Sequence, residues 1–450
     1  METTRPFQPK AVLGSLLSAR QKIVLRNLLE SFLWMATFLL SLVETPCFLL
    51  RNRGKIFKNR LLLPFYICSF GHSLSGLDFS SRLFYGNGVT VILVPHPRSN
   101  PHLHRLFEKN MTMVVYTSIL GVQSRLRDSA KHAALRFYLC LLSACFQKYH
   151  VLDFHEVVYK TVSLSENRLK RYDNERKTFK TYTDYTGYIR LLRDNVGRPP
   201  QMPDDFMALC RGEIQRVCPD FYDKPVVTVQ IRTKGGVGSQ IDNLSRNGGP
   251  VENYLPAVEW LGRNGFYVIT TGDFDNTPFR TVPGFLDLSG LNVDPAILNL
   301  HHLACATLYV GQQSGPLLLR NAMKKLCVVA DAGDLWCSGF FHMDVTLFKV
   351  YVDAQGREVT LKEMYRNHRD IVMGRDPKDK GLTLRPNTPH EILSAVQEGV
   401  FLIRNNLRET PEMEQARRDF LALTDPEILT RHQGLRPAMI NLDPEYIVPL

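Results

Sequence analysis

Short β-branched runs alternate with helix-length segments along most of the chain, and that rhythm restricts the fold more than any other feature. In the second half, Pro225–Ile231 (Val226, Val227 and Val229) is a strand, and Glu252–Asn264 is helical up to a stop at Gly265. Phe266–Thr270 is a strand, Phe285–Leu288 a short one, and Pro295–Ala306 a helix. Leu308–Val310, Pro316–Met323 and Leu326–Val329 continue as strand, helix and strand. Thr388-Pro389-His390-Glu391 is a capping box that opens a helix to about Leu402. The first half repeats the pattern with Leu61–Cys68, Val89–Val94 and Met111–Tyr116 as strands, and a helix over His102–Asn110 behind Ser99-Asn100-Pro101. Such alternation implies parallel sheets covered by helices. With 450 residues it predicts two doubly wound, Rossmann-like α/β domains facing across a cleft, at 61–200 and 201–450. The polar stretch over 160–200 reads as a surface helix and a linker ending in Arg198-Pro199-Pro200. No repeat of solenoid period is present.

Residues 1–60 break the rhythm. They hold ten basic and three acidic side chains, so seven of the chain's eleven net positive charges lie there. Between the basic clusters runs the uncharged segment Phe32–Val43, too short to span a bilayer; extension to Leu50 takes in Glu44 and Pro46. Leu25, Leu28, Leu29, Phe32 and Met35 recur at helical spacing. No small-residue cleavage site follows, which argues against a signal peptide. The preferred expectation is an amphipathic helix lying on an anionic membrane surface, peripheral on the inner face of the cytoplasmic membrane. A spanning anchor and a helical hairpin packed on the protein are the alternatives. Nine cysteines form no CxxC pair and no zinc spacing, and they read as buried free thiols of a reducing compartment.

The chemistry concentrates at strand ends. Arg232 follows the first strand of the second half, Thr271-Gly272-Asp273 follows the next, and Gly311-Gln312-Gln313-Ser314-Gly315-Pro316 follows Leu308–Val310 and opens a helix. An arginine there can grip a diphosphate bidentately. A Ser-Gly helix start offers a hydroxyl and backbone N–H groups to phosphate. Taken singly, Arg232 could be an ion-pair partner, Gly272-Asp273 a turn and Ser314 an N-cap. Together on one sheet edge they describe a socket for a nucleoside diphosphate.

These stretches resemble bacterial GT-B-type glycosyltransferases related to the fucosyltransferase-like group. The likeness rests on Val229-Gln230-Ile231-Arg232, Asn253-Tyr254, Gly265-Phe266-Tyr267-Val268 leading to Thr271-Gly272-Asp273, Gly284-Phe285-Leu286-Asp287-Leu288-Ser289, and Gly311–Pro316. Phe70-Gly71-His72 and Asn387-Thr388-Pro389 match more faintly. The resemblance implies that Arg232 holds the donor diphosphate, with donor contacts from Thr271, Gly272, Asp273, Gln312, Ser314 and Gly315. Gln230 stands where that group often has a histidine.

The expected activity is transfer of a sugar from a nucleoside-diphosphate sugar to a hydroxyl of a glycan or lipid-linked acceptor, in cell-envelope or surface polysaccharide synthesis. Arg232 and the helix start at Ser314 would neutralise the leaving diphosphate, so no metal and no cofactor is expected. His72, from the facing half, and Asp242, from the loop after Arg232, are candidates for the base that activates the acceptor. A non-catalytic glycan- or nucleotide-sugar-binding relative is the alternative. A membrane-associated P-loop NTPase fits less well: in Lys234–Gln240, Ser239 stands where the phosphate lysine belongs and Gln240 where the hydroxyl belongs. No GxGxxG opens the first strand–helix–strand unit, and no aromatic-basic motif points to nucleic acid.

Overall fold

The computed structural model describes residues 19–65, 70–85, 88–94, 100–116, 125–146, 148–151, 192, 196–232, 248–272, 274–333, 344–372, 377–423 and 436–450. The chain forms two compact units. One comprises Met1–Ser69, Gly88–Pro101 and Met111–Glu156; the other comprises Phe70–Asn87, His102–Asn110 and Val157–Leu450.

The first unit opens with helix α1 (Ala19–Arg51), which is continuous through Glu44 and Pro46. A proline inside a helix leaves the carbonyl four residues back without its donor. Here that carbonyl is Leu42 O, and the Tyr138 hydroxyl donates to it at 2.6 Å. Tertiary contact thus carries the helix past the point where the sequence reading cut the apolar run. Over Asn27–Arg51, α1 is long and apolar enough to cross a membrane, by length and composition alone.

After β1 (Leu61–Phe65) the chain crosses to the other unit for α2 (Phe70–Leu83) and returns for β2 (Val89–Leu93) and β3 (Thr112–Val115). It then forms α3 (Arg125–Cys145) and β4 (His150–Val151). The sheet is parallel throughout, in the order β3-β2-β1-β4. Pro64 sits inside β1, where it cannot donate a ladder bond, and β4 pairs only with Leu61 and Leu62. Phe48 and Leu49 of α1, Leu62, Ile92, Val114, and Leu135 and Leu139 of α3 close one core.

Residues 102–110 do not form the expected α-helix. Only a 3-10 turn forms, at Leu103–Phe107, with Leu103, Leu106 and Phe107 buried. Leu103 and Leu106 are three apart, the spacing that a three-residue turn brings to one side.

The second unit runs α4 (Asp204–Val217), β5 (Val226–Gln230), α5 (Leu255–Arg263), β6 (Tyr267–Thr270), α6 (Pro295–Cys305), β7 (Leu308–Gly311), α7 (Gly315–Ala322), β8 (Cys327–Ala332) and β9 (Val345–Phe348). Five of its strands form a parallel sheet, in the order β6-β5-β7-β8-β9. Phe285 makes only an isolated bridge to Val268 in place of the expected strand, because Gly284 turns the chain in (φ +80°) and an Asp287–Ser289 turn takes it out. A small antiparallel sheet follows, β10 (Val350–Val352), β11 (Glu358–Val359) and β12 (Thr383–Arg385), in the order β11-β10-β12. Helix α8 (Pro389–Arg404) carries the expected capping box, with Thr388 and Glu391 bonding reciprocally.

Helix α2 belongs here because of Arg82. Its guanidinium is fully buried, pairs with Asp78 at 2.7 Å, and donates to Ala322 O at the carboxyl end of α7 and to Val196 O. A buried ion pair is tolerated only when its remaining donors are satisfied, and these two carbonyls do so. His72 therefore lies on a helix of the second unit, whereas the expectation placed it in the facing half.

Candidate functional site

In the second sheet the chain leaves β5 for β6 on one side and then returns to place β7 on the other. Strand order thus reverses between β5 and β7, and open α/β sheets bind ligands at the carboxyl ends of the strands flanking such a reversal. Gln230, the last residue of β5, is in register with Gly311, the last of β7. Arg232 and Gln312 emerge side by side beyond that pair: the Arg232 N–H donates to Gln312 Oε1 at 2.6 Å. The strands approach closely enough that a Cβ on Gly311 would lie 2.6 Å from Gln230 O and 2.7 Å from the Tyr309 hydroxyl.

A buried polar floor underlies this edge. Gln312 is fully buried and its amide donates to the Tyr254 hydroxyl. Tyr254 donates in turn to Asp331 Oδ2 at 2.7 Å, which also accepts from Gly249 N. Asp331 Oδ1 accepts from Asn387 N at 2.8 Å, while Asn387 Oδ1 accepts from Asp331 N. Asn253 donates to Asn387 O. Burial and the neighbouring Asp331 carboxylate push the Tyr254 hydroxyl well above the usual tyrosine range, so it stays a neutral donor. The carbonyl of Arg232 accepts from Gly248 N at 2.8 Å. Both backbone groups of Arg232 are therefore committed, which fixes the point from which its half-buried side chain departs.

Gln230 anchors a second branch. Its Oε1 accepts from the Tyr309 hydroxyl and from Ser314 Oγ, each at 2.9 Å. A neutral histidine offers one acceptor, whereas an amide oxygen has two lone pairs, so this position needs its glutamine. Ser314 is the N-cap residue of α7, yet its hydroxyl makes no cap bond to the helix. The first turn of α7 therefore leaves the N–H groups of Gly315 and Leu317 without that cap, and Pro316 contributes none. At β6, Thr271 N donates to Val229 O and its hydroxyl to Asn299 Oδ1 at 2.7 Å. Gly272 is exposed, with φ +98°, a backbone state that suits glycine.

Six of the residues singled out from sequence thus share one edge: Arg232, Thr271, Gly272, Gln312, Ser314 and Gly315. Asp242 and Asp273 lie outside the described residues, and so does the side chain of His72. Tyr254, Asp331 and Asn387 were missed as a functional group. The signal was there in part: an aspartate follows the apolar run of β8, at a register shift between Val329 and Ala332, with φ +52°. Among the described residues no group of His, Cys, Asp and Glu is arranged to hold a metal. The seven cysteines among the described residues are free; Cys210, Cys218 and Cys327 are buried, but Cys47, Cys140 and Cys145 are exposed, contrary to the expectation of buried thiols. They lie on the outward sides of α1 and α3.

Several solved glycosyltransferase structures are similar to the chain. One is the family 9 glycosyl transferase from Veillonella parvula DSM 2008, 13% identical with a TM-score of 0.41, spanning 78% of this chain and 97% of that one. Another is E. coli heptosyltransferase WaaC with ADP-2-deoxy-2-fluoro heptose, 12% identical with a TM-score of 0.31, over 64% of this chain and 91% of that one. A third is Phytolacca americana UGT2 complexed with UDP-2fluoro-glucose and pterostilbene, 12% identical with a TM-score of 0.30, over 80% and 99%. Likeness of this degree assigns neither a substrate nor a residue role. No protein-family model matches the chain, and no curated protein sequence matches it.

Proposed function

We propose that the protein is a GT-B-type glycosyltransferase that moves a sugar from a nucleoside-diphosphate sugar to a hydroxyl acceptor of a cell-envelope or surface glycan. The observation that carries this reading is the convergence of Arg232, the uncapped start of α7 at Ser314-Gly315, and Thr271-Gly272 at the strand reversal. As the anomeric carbon–oxygen bond breaks, negative charge gathers on the leaving diphosphate. A guanidinium and oriented backbone N–H groups at that point stabilise it without a metal. The polar floor beneath is fully engaged in hydrogen bonds, so these groups need not reorganise during the reaction. His72 or Asp242 is assigned as the base that takes the acceptor proton. The N-terminal segment holds the enzyme on the inner face of the cytoplasmic membrane, where a lipid-linked acceptor would be met.

Arg232→Ala tests the donor site. The backbone N–H and carbonyl that tie residue 232 into the fold survive the substitution. The variant should fold normally and lose about 10²–10³-fold in turnover, with weakened binding of GDP or UDP in a thermal-shift or calorimetric titration. Undiminished nucleotide affinity overturns the assignment. Nucleotide-sugar binding without release of free nucleoside diphosphate, across donors and acceptors, would identify a non-catalytic relative.

A further inference from the structure

We infer that α1 and α3 together form one membrane-docking face that lies in the plane of an anionic bilayer, so that α1 does not cross it. This deepens the membrane part of the proposed function and rests on that part.

Helix α1 presents Leu28, Phe32, Met35, Leu39, Val43 and Leu50 to solvent, each more than half exposed and spaced three, four or seven residues apart along one side. Its neighbour α3 exposes Phe137, Cys140, Leu141 and Cys145, again at helical spacing. The two helices lie side by side: Trp34 Nε1 donates to Ser129 Oγ and Tyr138 to Leu42 O. Those contacts advance together along both helices, so α1 and α3 run in the same direction, and the exposed apolar residues of α3 fall beside the carboxyl-terminal half of α1, where Val43 and Leu50 are exposed. Exposed apolar residues gathered on two adjacent helices are the kind of surface that marks an interaction site.

Charge selects the occupant. Where α1 ends, Arg51, Arg53, Lys55, Lys58 and Arg60 are all exposed, while Glu30 and Glu44 are only partly so. An apolar stripe ending in five cations matches acyl chains beside anionic headgroups.

The inner face of α1 decides against a span. Ser41 and Thr45 are buried there, and the Thr45 and Tyr116 hydroxyls bond at 3.2 Å at the end of β3. Phe48 and Leu49 share a core with the parallel sheet. A transmembrane α1 would draw an open sheet edge into hydrocarbon, where its unpaired backbone groups could not be satisfied.

The exposed thiols Cys47 on α1 and Cys140 and Cys145 on α3 provide a direct readout in the unaltered chain. Full-length protein is floated with vesicles of equal parts phosphatidylcholine and phosphatidylglycerol, then treated with a charged maleimide, and labelling is read by peptide mass. The expected result is flotation that alkaline carbonate reverses, with all three thiols labelled about tenfold more slowly than in vesicle-free buffer. Phe137→Ser with Leu141→Ser should weaken partitioning by about tenfold while the thermal transition is unchanged. Vesicles of phosphatidylcholine alone should bind more than about tenfold less. Shielding of Cys47 with Cys140 and Cys145 still fully reactive overturns the two-helix face but leaves the membrane reading standing. Resistance to carbonate overturns the in-plane placement. Absence of flotation overturns both, and GDP or UDP titration of the same sample reports separately on the donor site.

Discussion

The two parallel sheets share a plan and differ in how they spend their polar and apolar residues. Each reverses its strand order beside its first strand, between β1 and β4 in one and between β5 and β7 in the other. At the first reversal β1 contains a proline and β4 has only two residues. At the second, two strands end in register on glutamine and glycine above a closed network of buried amides, a phenol and a carboxylate. The apolar surplus is distributed the other way. The first unit leaves a long helix half uncovered, with Phe32 at 69% and Val43 at 73% exposure, while the strands β5, β7, β8 and β9 of the second are almost wholly buried. A sheet buried on both faces can hold strand-end groups rigidly in a water-poor setting, which suits charge stabilisation. A unit that keeps an apolar helix on its outside is suited to meeting another apolar phase.

That contrast can be broken at its strongest point by Asp331→Ala. The change strips the acceptor from the Tyr254 hydroxyl, Gly249 N–H and Asn387 N–H, all buried, at about 1–3 kcal/mol for each donor left unsatisfied. Urea denaturation should show the second unit melting much earlier while the first unit's transition stays in place.

Acid should separate the units next. His301 and His302 are buried in α6, and burial depresses them to about 3 and about 4. The unfolded chain binds those protons near pH 6.5, so the native state holds fewer protons below that value. Stability from these imidazoles is complete above pH 6.5 and is lost as pH falls from there towards 4. The slope is roughly 1.4 kcal/mol per pH unit for each imidazole. In the first unit the described histidines His132 and His150 are not buried, so thermal scans between pH 7 and 4.5 should lower the second unit's transition more.

Gly311→Ala gives a smaller, sharper effect. Strands β5 and β7 would have to separate or Tyr309 shift, costing about 1–3 kcal/mol, and nucleotide affinity should fall with it in calorimetry. An unchanged affinity would show that the spacing at the strand ends is not what organises the proposed donor site.

The smallest change tests the first unit. Tyr138→Phe leaves Leu42 O without its replacement donor and should cost about 1 kcal/mol. Amide exchange in α1 near Pro46 should accelerate while GDP or UDP binding is unaffected.

Local pattern was enough to mark β5 to β8, the helices between them and α8, because the strands are short apolar runs and the helices carry local stops or caps, as with Gly265 and the Thr388–Glu391 box. Arg232, Gln312 and Ser314 were legible for the same reason: they sit where a predicted strand stops. Asp331 was not, since it is ordinary in its own segment; Tyr254 and Asn387 stand in stretches that carry the resemblance, but only folding ties them to Asp331, 77 and 56 positions away.

Sequence by itself determined that the chain would make parallel α/β units with polar groups at the strand ends and an apolar, basic amino-terminal helix. Those properties are written in short-range periodicity and charge, which act over a turn or two of backbone. Only the tertiary structure decided that α1 continues past Pro46, that α2 joins the second unit through Arg82, and that Asp331 anchors the floor beneath Arg232. In each case a polar group had to find a partner far away in the chain, and no local signal records which partner that is.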